Sequence, residues 1–399
     1  NWFPYYSFEE DEYMTTSAVA VHPTDSNKIY MAAFKPPIAH GGGLHLKDGG
    51  EIVDLGKDLP RSVLDIAINP SYPNIIYVTL HVHGVYKSIN GGQTWKQLDD
   101  KGNGLPRTGF FDIDIDPMDT DIIYTAGLCG ELPDYIMPQN LVPFILQKLG
   151  VIKNIDPNAK CGVYKSINAG EDWELVLETI GAATGIEIDG NDHNVLYVSD
   201  SSGGVWVSTN GGENWVQENT GGDGLDSLTM TSVKVKDDKV YASTQGSGVY
   251  AGQLTDDYSI VWDNQRSNKP TVHVFNMQIN VDPQDNDIIY ASAYPGGLFR
   301  SDDSGENWAG KNFATPSFIS NDPNRKGYYA FAINPTNPEN VVLCIFSKGC
   351  FISYDKRDTA VPFNTGLEIK DVYSIAFDPL GNYVYAGTNG GSVFRAKIE

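Results

Sequence analysis

The chain has 399 residues, 41% of them apolar, with 41 glycines, 22 prolines and 22 tyrosines, the make-up of a compact, turn-rich protein rather than a disordered one. Its 51 acidic residues against 28 basic ones give a net charge of −23, which repels phosphate backbones and anionic lipid and argues against nucleic acid as a partner. No apolar run is long enough to span a bilayer, so no transmembrane segment is expected.

The chain opens on Asn1-Trp2-Phe3-Pro4, without the charged-then-apolar order of an export signal, the start expected where a signal peptide has already been removed. From Ala18 onward one pattern recurs: an apolar strand ends in Asn-Pro, Asp-Pro or an equivalent turn and leads to a second strand that ends in Ile-Tyr. The first unit runs through Ala18 and Ala20 to His22-Pro23 and reaches Tyr30. The second runs from Asp65 through Asn69-Pro70 to Tyr77, and the third from Asp112 through Asp116-Pro117 to Tyr124. Later copies arrive at Tyr197, Tyr241, Tyr290, Leu343 and Tyr385, so successive spacings are 47, 47, 73, 44, 49, 53 and 42. One interval therefore holds an insertion and the others are nearly constant.

Each unit reads as strand, turn, strand, Gly-containing turn, a strand of the Gly-Val-Tyr-Lys-Ser type, a sharp turn and a fourth strand. A four-stranded sheet at this period is a propeller blade, which buries both faces only by stacking radially on its neighbours. The expected fold is all-β: a single β-propeller domain over residues 1–399 with eight four-stranded antiparallel blades, or seven if one of the weaker units is misassigned. The last unit, from Val372, runs out before a fourth strand, so residues 1–16 are expected to supply it and close the ring.

The third unit carries the insertion 128–161, bracketed by Cys129 and Cys161. Within it, Asn140 to Gly150 has Pro143 in its first turn and a glycine at its end, the pattern of a short helix. Lying between second and third strands, this segment is expected to project from the ligand face, folded over the propeller mouth as a lid or offered to another protein. Cys344 and Cys350 bracket a short hairpin. Two local pairs suggest loop-closing disulfides and an oxidising compartment, extracellular, cell-surface or periplasmic; four thiols in a reducing cytosol is the alternative.

Between third and fourth strands four units carry Ser-x-Asn/Asp-x-Gly-x-x-Trp: Ser88 to Trp95, Ser166 to Trp173, Ser208 to Trp215 and Ser301 to Trp308. Asn or Asp closes such a turn on its own backbone, Gly supplies positive φ, and Trp fills the gap between sheets. These residues resemble the Asp-box (BNR) repeats of sialidases, sortilin-type receptors, photosystem assembly propellers and family 74 xyloglucanases. Three of the four carry Asn in place of Asp, and the seventh unit keeps Ser353 and Asp355 without the Gly and Trp. The resemblance implies a propeller, and it implies that these turns are structural, on the face opposite the ligand entrance.

Aligning the innermost strands and applying their alternation points Asp65, Asp112, Asp114 and Glu187 into the channel from consecutive blades, with alanines at Ala18, Ala20, Ala330 and Ala332 on the other side. The acids could share a proton, hold a hard cation such as a structural Ca²⁺, or contact channel water; no cofactor is required. Rim loops add Arg61, His81, His83, Arg107, Phe110, His273, Tyr294, Arg325, Tyr329 and Lys348 as candidate ligand-binding residues, a mixture that suits a sugar or a protein. His81-Val82-His83 has chelating alternation but no third ligand nearby, so a surface turn is expected.

Against a sialidase stand the missing Arg-Ile-Pro segment and seven arginines that do not reproduce the carboxylate-binding set. The stretch Leu196 to Trp206 resembles family 74 enzymes, in which an Asp before Gly-Gly is catalytic; that resemblance would make Asp200 the acid or base, with Asp112 or Asp65 as the second carboxylate across about 6.5–9.5 Å. Those enzymes place their cleft between two propellers, and this chain has one. The expectation is a non-catalytic binding or assembly propeller recognising a protein or glycan through its top face and insertion, with a glycoside hydrolase or lyase as the alternative.

Overall fold

The computed structural model describes residues 1–6, 15–25, 28–34, 43–48, 51–59, 63–80, 83–98, 102–128, 156, 158–263, 278–293, 297–310, 329–345, 348–356, 359–388 and 393–398. Its strands form eight four-stranded antiparallel sheets arranged as a propeller, with no helix among the described residues. The insertion's expected helix and Cys129 fall outside the described residues.

The innermost strands of blades 1 to 8 are Thr15–Val21, Val63–Ile68, Phe110–Ile115, Ala183–Ile188, Met230–Lys236, Gln278–Val281, Tyr329–Ile333 and Val372–Phe377. The second strands Ile76–Leu80, Ile123–Gly127 and Leu196–Asp200 are buried at every position, because a neighbouring sheet covers each face. Some fourth strands are short and exposed, as in Val216–Gln217 and Val361–Pro362, which leaves little unpaired edge there to recruit another chain, whereas Glu174–Glu178 and Ile260–Asp263 are longer and partly buried. In blade 8, Trp2–Tyr6 is the outermost strand, hydrogen-bonded to Val393–Lys397. Trp2 also donates its backbone N–H to Thr365 O at 2.7 Å and its indole N–H to Phe363 O, both in blade 7.

The core is distributed between the blades. Tyr77, Val85 and Leu98 of blade 2 pack with Ile113, Ile123 and Trp173 of blade 3, and the ring closes where Ile29 and Met31 of blade 1 meet Tyr385 and Val393 of blade 8. Joints of this kind carry the hydrophobic stabilisation, roughly 25 cal/mol per Å² of apolar surface removed from water.

Two polar devices recur on one face. At the end of the inner strand, Asn69 accepts the N–H groups of Ser71 and Tyr72; Asp116, Asp189 and Asn334 repeat the arrangement. In the Ser-x-Asn turn, Ser88 Oγ accepts Gly92 N–H at 2.8 Å and donates to Asn90 Oδ1, which accepts Thr94 N–H. The third residue after each turn serine adopts the left-handed conformation: Gly91, Ala169, Gly211, Ser304 and Lys356, with φ of 69°, 55°, 64°, 53° and 54°. Its carbonyl receives the preceding blade. Tyr77 Oη and Lys87 Nζ both donate to Ala169 O, at 3.1 and 2.7 Å, and Tyr124 Oη and Lys165 Nζ both donate to Gly211 O, at 3.1 and 2.6 Å. The turns are thus latches between blades.

Candidate functional site

Six inner strands carry a register shift near their start, between Val63 and Asp65, Phe110 and Asp112, Ala183 and Gly185, Met230 and Ser232, Thr16 and Ala18, and Val372 and Ser374. A bulge of this kind bends the strand and re-aims the residues that follow. On blades 2 to 5 it brings Asp65, Asp112, Asp114, Glu187 and Lys234 together along one side of the channel.

Asp65 Oδ2 accepts the backbone N–H of Ile113 at 3.3 Å, and Asp112 Oδ2 accepts that of Ile186 at 3.1 Å, so each carboxylate is fastened to the inner strand of the next blade. Gly185 leaves room for this: a Cβ there would lie 3.5 Å from Asp112 Oδ2 and 3.3 Å from Ser199 Oγ. Burial, then the neighbouring Asp112 charge, holds Asp65 well above the usual carboxylate range, and its protonated carboxyl hydrogen-bonds Asp112. Asp114 is pushed up to about 7 by burial, then by Asp112 and Glu187, with Lys234 opposing. Glu187 pairs with Lys234 from the next blade, and burial keeps its pKa raised despite that partner. For Lys234 burial works against the charge, but Glu187, Asp112 and Asp114 outweigh it and hold the ammonium above its ordinary value. These carboxyls keep some accessible surface, yet it is surface within a narrow channel, where the surrounding protein still penalises charge.

A chain of hydroxyls continues around the same wall, with Thr184 Oγ1 2.8 Å from Ser199 Oγ and Thr231 Oγ1 2.7 Å from Ser243 Oγ. Thr184 and Thr231 are bulge residues. Channel alternation overlooks them because a bulge adds one residue to the count. A threonine directly before the re-aimed position in two consecutive blades was the available signal. Among the described residues no group of three or more His, Cys, Asp or Glu side chains is placed to hold a metal ion.

Asp200 is fully buried and lies at the other end of blade 4 from the latch turns. Its Oδ1 accepts the N–H groups of Gly181 and Ser202, at 2.8 and 2.9 Å; its Oδ2 accepts Ile180 N–H at 2.8 Å and the Trp206 indole N–H at 3.2 Å. Gly203 is required beside it, since a Cβ there would meet Asp200 Oδ2 at 2.1 Å. Four donors occupy the carboxylate and fix the segment that leads from blade 3 into blade 4.

Of the rim candidates, His83 and Arg107 are half-buried, and Lys348 is exposed in the turn before Gly349–Ser353. Phe110 is wholly buried, 5.9 Å and edge-on from Tyr164, a core contact with no face offered to a ligand. Tyr329 begins the inner strand of blade 7. Arg61, His81, His273, Tyr294 and Arg325 lie outside the described residues. Cys344 and Cys350 face each other across adjacent strands and form a disulfide; Cys161 is also disulfide-bonded, while Cys129, its expected partner, lies outside the described residues.

No family model matches the chain, and no curated protein matches its sequence. Solved structures do share its fold. A GH74 xyloglucanase from Xanthomonas campestris is 16% identical with a TM-score of 0.55, over 91% of this chain and 54% of that one. The chain therefore spans about half the length of that enzyme. YCF48 bound to D1 peptide is 14% identical, TM-score 0.51, over 85% of this chain and 94% of that one. The computationally designed Ika8 protein is 14% identical, TM-score 0.59, over 98% of both chains. At these identities the likeness is one of fold.

Proposed function

We propose that this chain is a non-catalytic binding or assembly propeller, which holds a protein or glycan through its top face and the 128–161 insertion in an oxidising compartment. One observation carries the reading: the carboxylates that hydrolase chemistry would need are already committed to the backbone. Asp200 is buried under four donors, and Asp65 and Asp112 each accept an amide of the following blade. A general acid or nucleophile must reach the glycosidic oxygen or the anomeric carbon, and Asp200, buried and saturated by four donors, reaches neither; Asp65 and Asp112 face the channel with one oxygen each tied to the next blade. The Cys344–Cys350 disulfide supports the compartment. Of the two natural propellers named above, YCF48, solved with a bound peptide, fits this reading better than the xyloglucanase, whose chain is about twice as long as the region matched.

The test is a glycan array together with a panel of purified secreted proteins, probed with wild type, with Lys348→Glu and with residues 130–160 deleted. The reading expects a ligand whose binding falls at least about tenfold in one or both variants while melting temperature is kept. It fails if every ligand found binds all three proteins equally.

A further inference from the structure

The turns from first to second strand and from third to fourth strand share one face of the ring, opposite the rim. On blades 2 and 3 four of these turns carry a large apolar side chain at the tip: Tyr72, Ile89, Met118 and Ile167, which are 64%, 69%, 78% and 70% exposed. The turns form one continuous surface. Gly91 N–H bonds Asn74 O and Ala169 N–H bonds Asp121 O, each at 2.8 Å, joining the two turns within each blade; Lys96 pairs with Glu171 at 2.6 Å across the blades. In blade 4 the corresponding residues are Asn191 and Thr209, so the apolar surface ends there.

Nothing in the turn itself asks for these side chains. The Ser-x-Asn hydrogen bonds come from Ser88 and Asn90, or Ser166 and Asn168, and the intervening isoleucine makes none of them. A cluster of large apolar groups kept in water at positions the fold leaves unconstrained marks an interaction surface.

Its border decides the occupant. Asp119, Asp121, Glu171 and Asp172 are exposed around the patch, whereas Lys96 is engaged by Glu171 and Lys87 and Lys165 are turned to carbonyls of the next blade. An apolar centre edged with carboxylates repels a second copy of the same face and repels anionic membranes; it suits a ligand with cations beside its apolar groups. We propose that this face of blades 2 and 3 docks a polypeptide segment in which leucine-like side chains alternate with lysine or arginine. The site is separate from the top face and does not depend on the function proposed for it.

Fluorescence anisotropy tests this with a short labelled peptide alternating leucine and lysine, against matched leucine/glutamate and serine/lysine peptides. Wild type should bind the leucine/lysine peptide best. The double variant Ile89→Ser, Ile167→Ser leaves net charge unchanged and should bind at least about tenfold more weakly with the same melting temperature. Asp121→Asn, Asp172→Asn should also weaken binding and flatten its salt dependence, and Lys348→Glu on the top face should leave it unaltered. The proposal is overturned if the serine variant binds as tightly as wild type, which is charge attraction alone. It is equally overturned if the leucine/glutamate peptide competes on equal terms, or if no peptide binds.

Discussion

The joint between blades 3 and 4 and the joint between blades 4 and 5 solve one problem with different chemistry. At the first, Tyr124 and Lys165 latch onto Gly211 O, Asp112 accepts Ile186 N–H, and Asp116 meets His193 Nδ1 at 2.7 Å. Blade 5 has no Ser-x-Asn turn, and there the lysine of the third strand is replaced by Val207 while Tyr197 Oη points to Asp189 of its own blade, 3.4 Å away. Val195, Tyr197, Val205 and Val207 instead pack on Met230, Val233, Val240 and Trp262. Both joints have apolar packing and directional bonds, the second through the Glu187–Lys234 pair and Thr184 Oγ1 donating to Met230 O; what differs is the tyrosine–lysine latch, used where the next blade offers a turn carbonyl to receive it and replaced by apolar area where it does not.

The strongest way to break the polar joint is Asp200→Ala, which strands four backbone and indole donors at the entry to blade 4. Chemical denaturation should show a loss of about 4 kcal/mol, far beyond an exposed catalytic carboxylate. Lys165→Met removes one latch bond but keeps most of the packing, and Val207→Met overpacks a buried position of the apolar joint; each should cost about 1 kcal/mol.

The channel acids sharpen the comparison through pH. Asp114 titrates near 7 in the fold against 3.8 ordinarily, so the folded state holds a proton that the unfolded chain has released. The stability this provides is fully present below about pH 4 and is lost as pH rises through 7. Asp114→Asn should therefore melt above wild type at pH 8, and the two curves should converge toward pH 4. The smallest effect is expected at Ala169, a non-glycine at φ 55° where Gly91 and Gly211 stand in sister blades. Ala169→Gly should stabilise by about 0.5 kcal/mol, the relief of left-handed strain slightly exceeding the added entropy of the unfolded chain.

The blades were legible because period, Asn/Asp-Pro ends and strands of the Gly-Val-Tyr-Lys-Ser type are local signals that recur along the chain. The meeting of Asp65, Asp112, Asp114 and Glu187 was legible too, since it follows from alternation along aligned strands. What those carboxylates bond was not. Two of the four partners of Asp200 come from Ile180 and Gly181 in a non-repeating linker, and those of Asp65 and Asp112 are backbone amides that every residue but proline possesses. The lysine latch had a faint signal: lysine at position 87 or 165 precedes a blade with the turn, and Val207 precedes one without it.

The central claim, that the acidic side of this propeller holds blades together and leaves binding as the function, is tested most directly by a reducing-end assay. Wild type and Asp112→Asn would be incubated with xyloglucan and related polysaccharides between about pH 5 and pH 8. The account predicts no new reducing ends from either protein. Wild-type turnover abolished by Asp112→Asn, with the melting temperature unchanged, would contradict it.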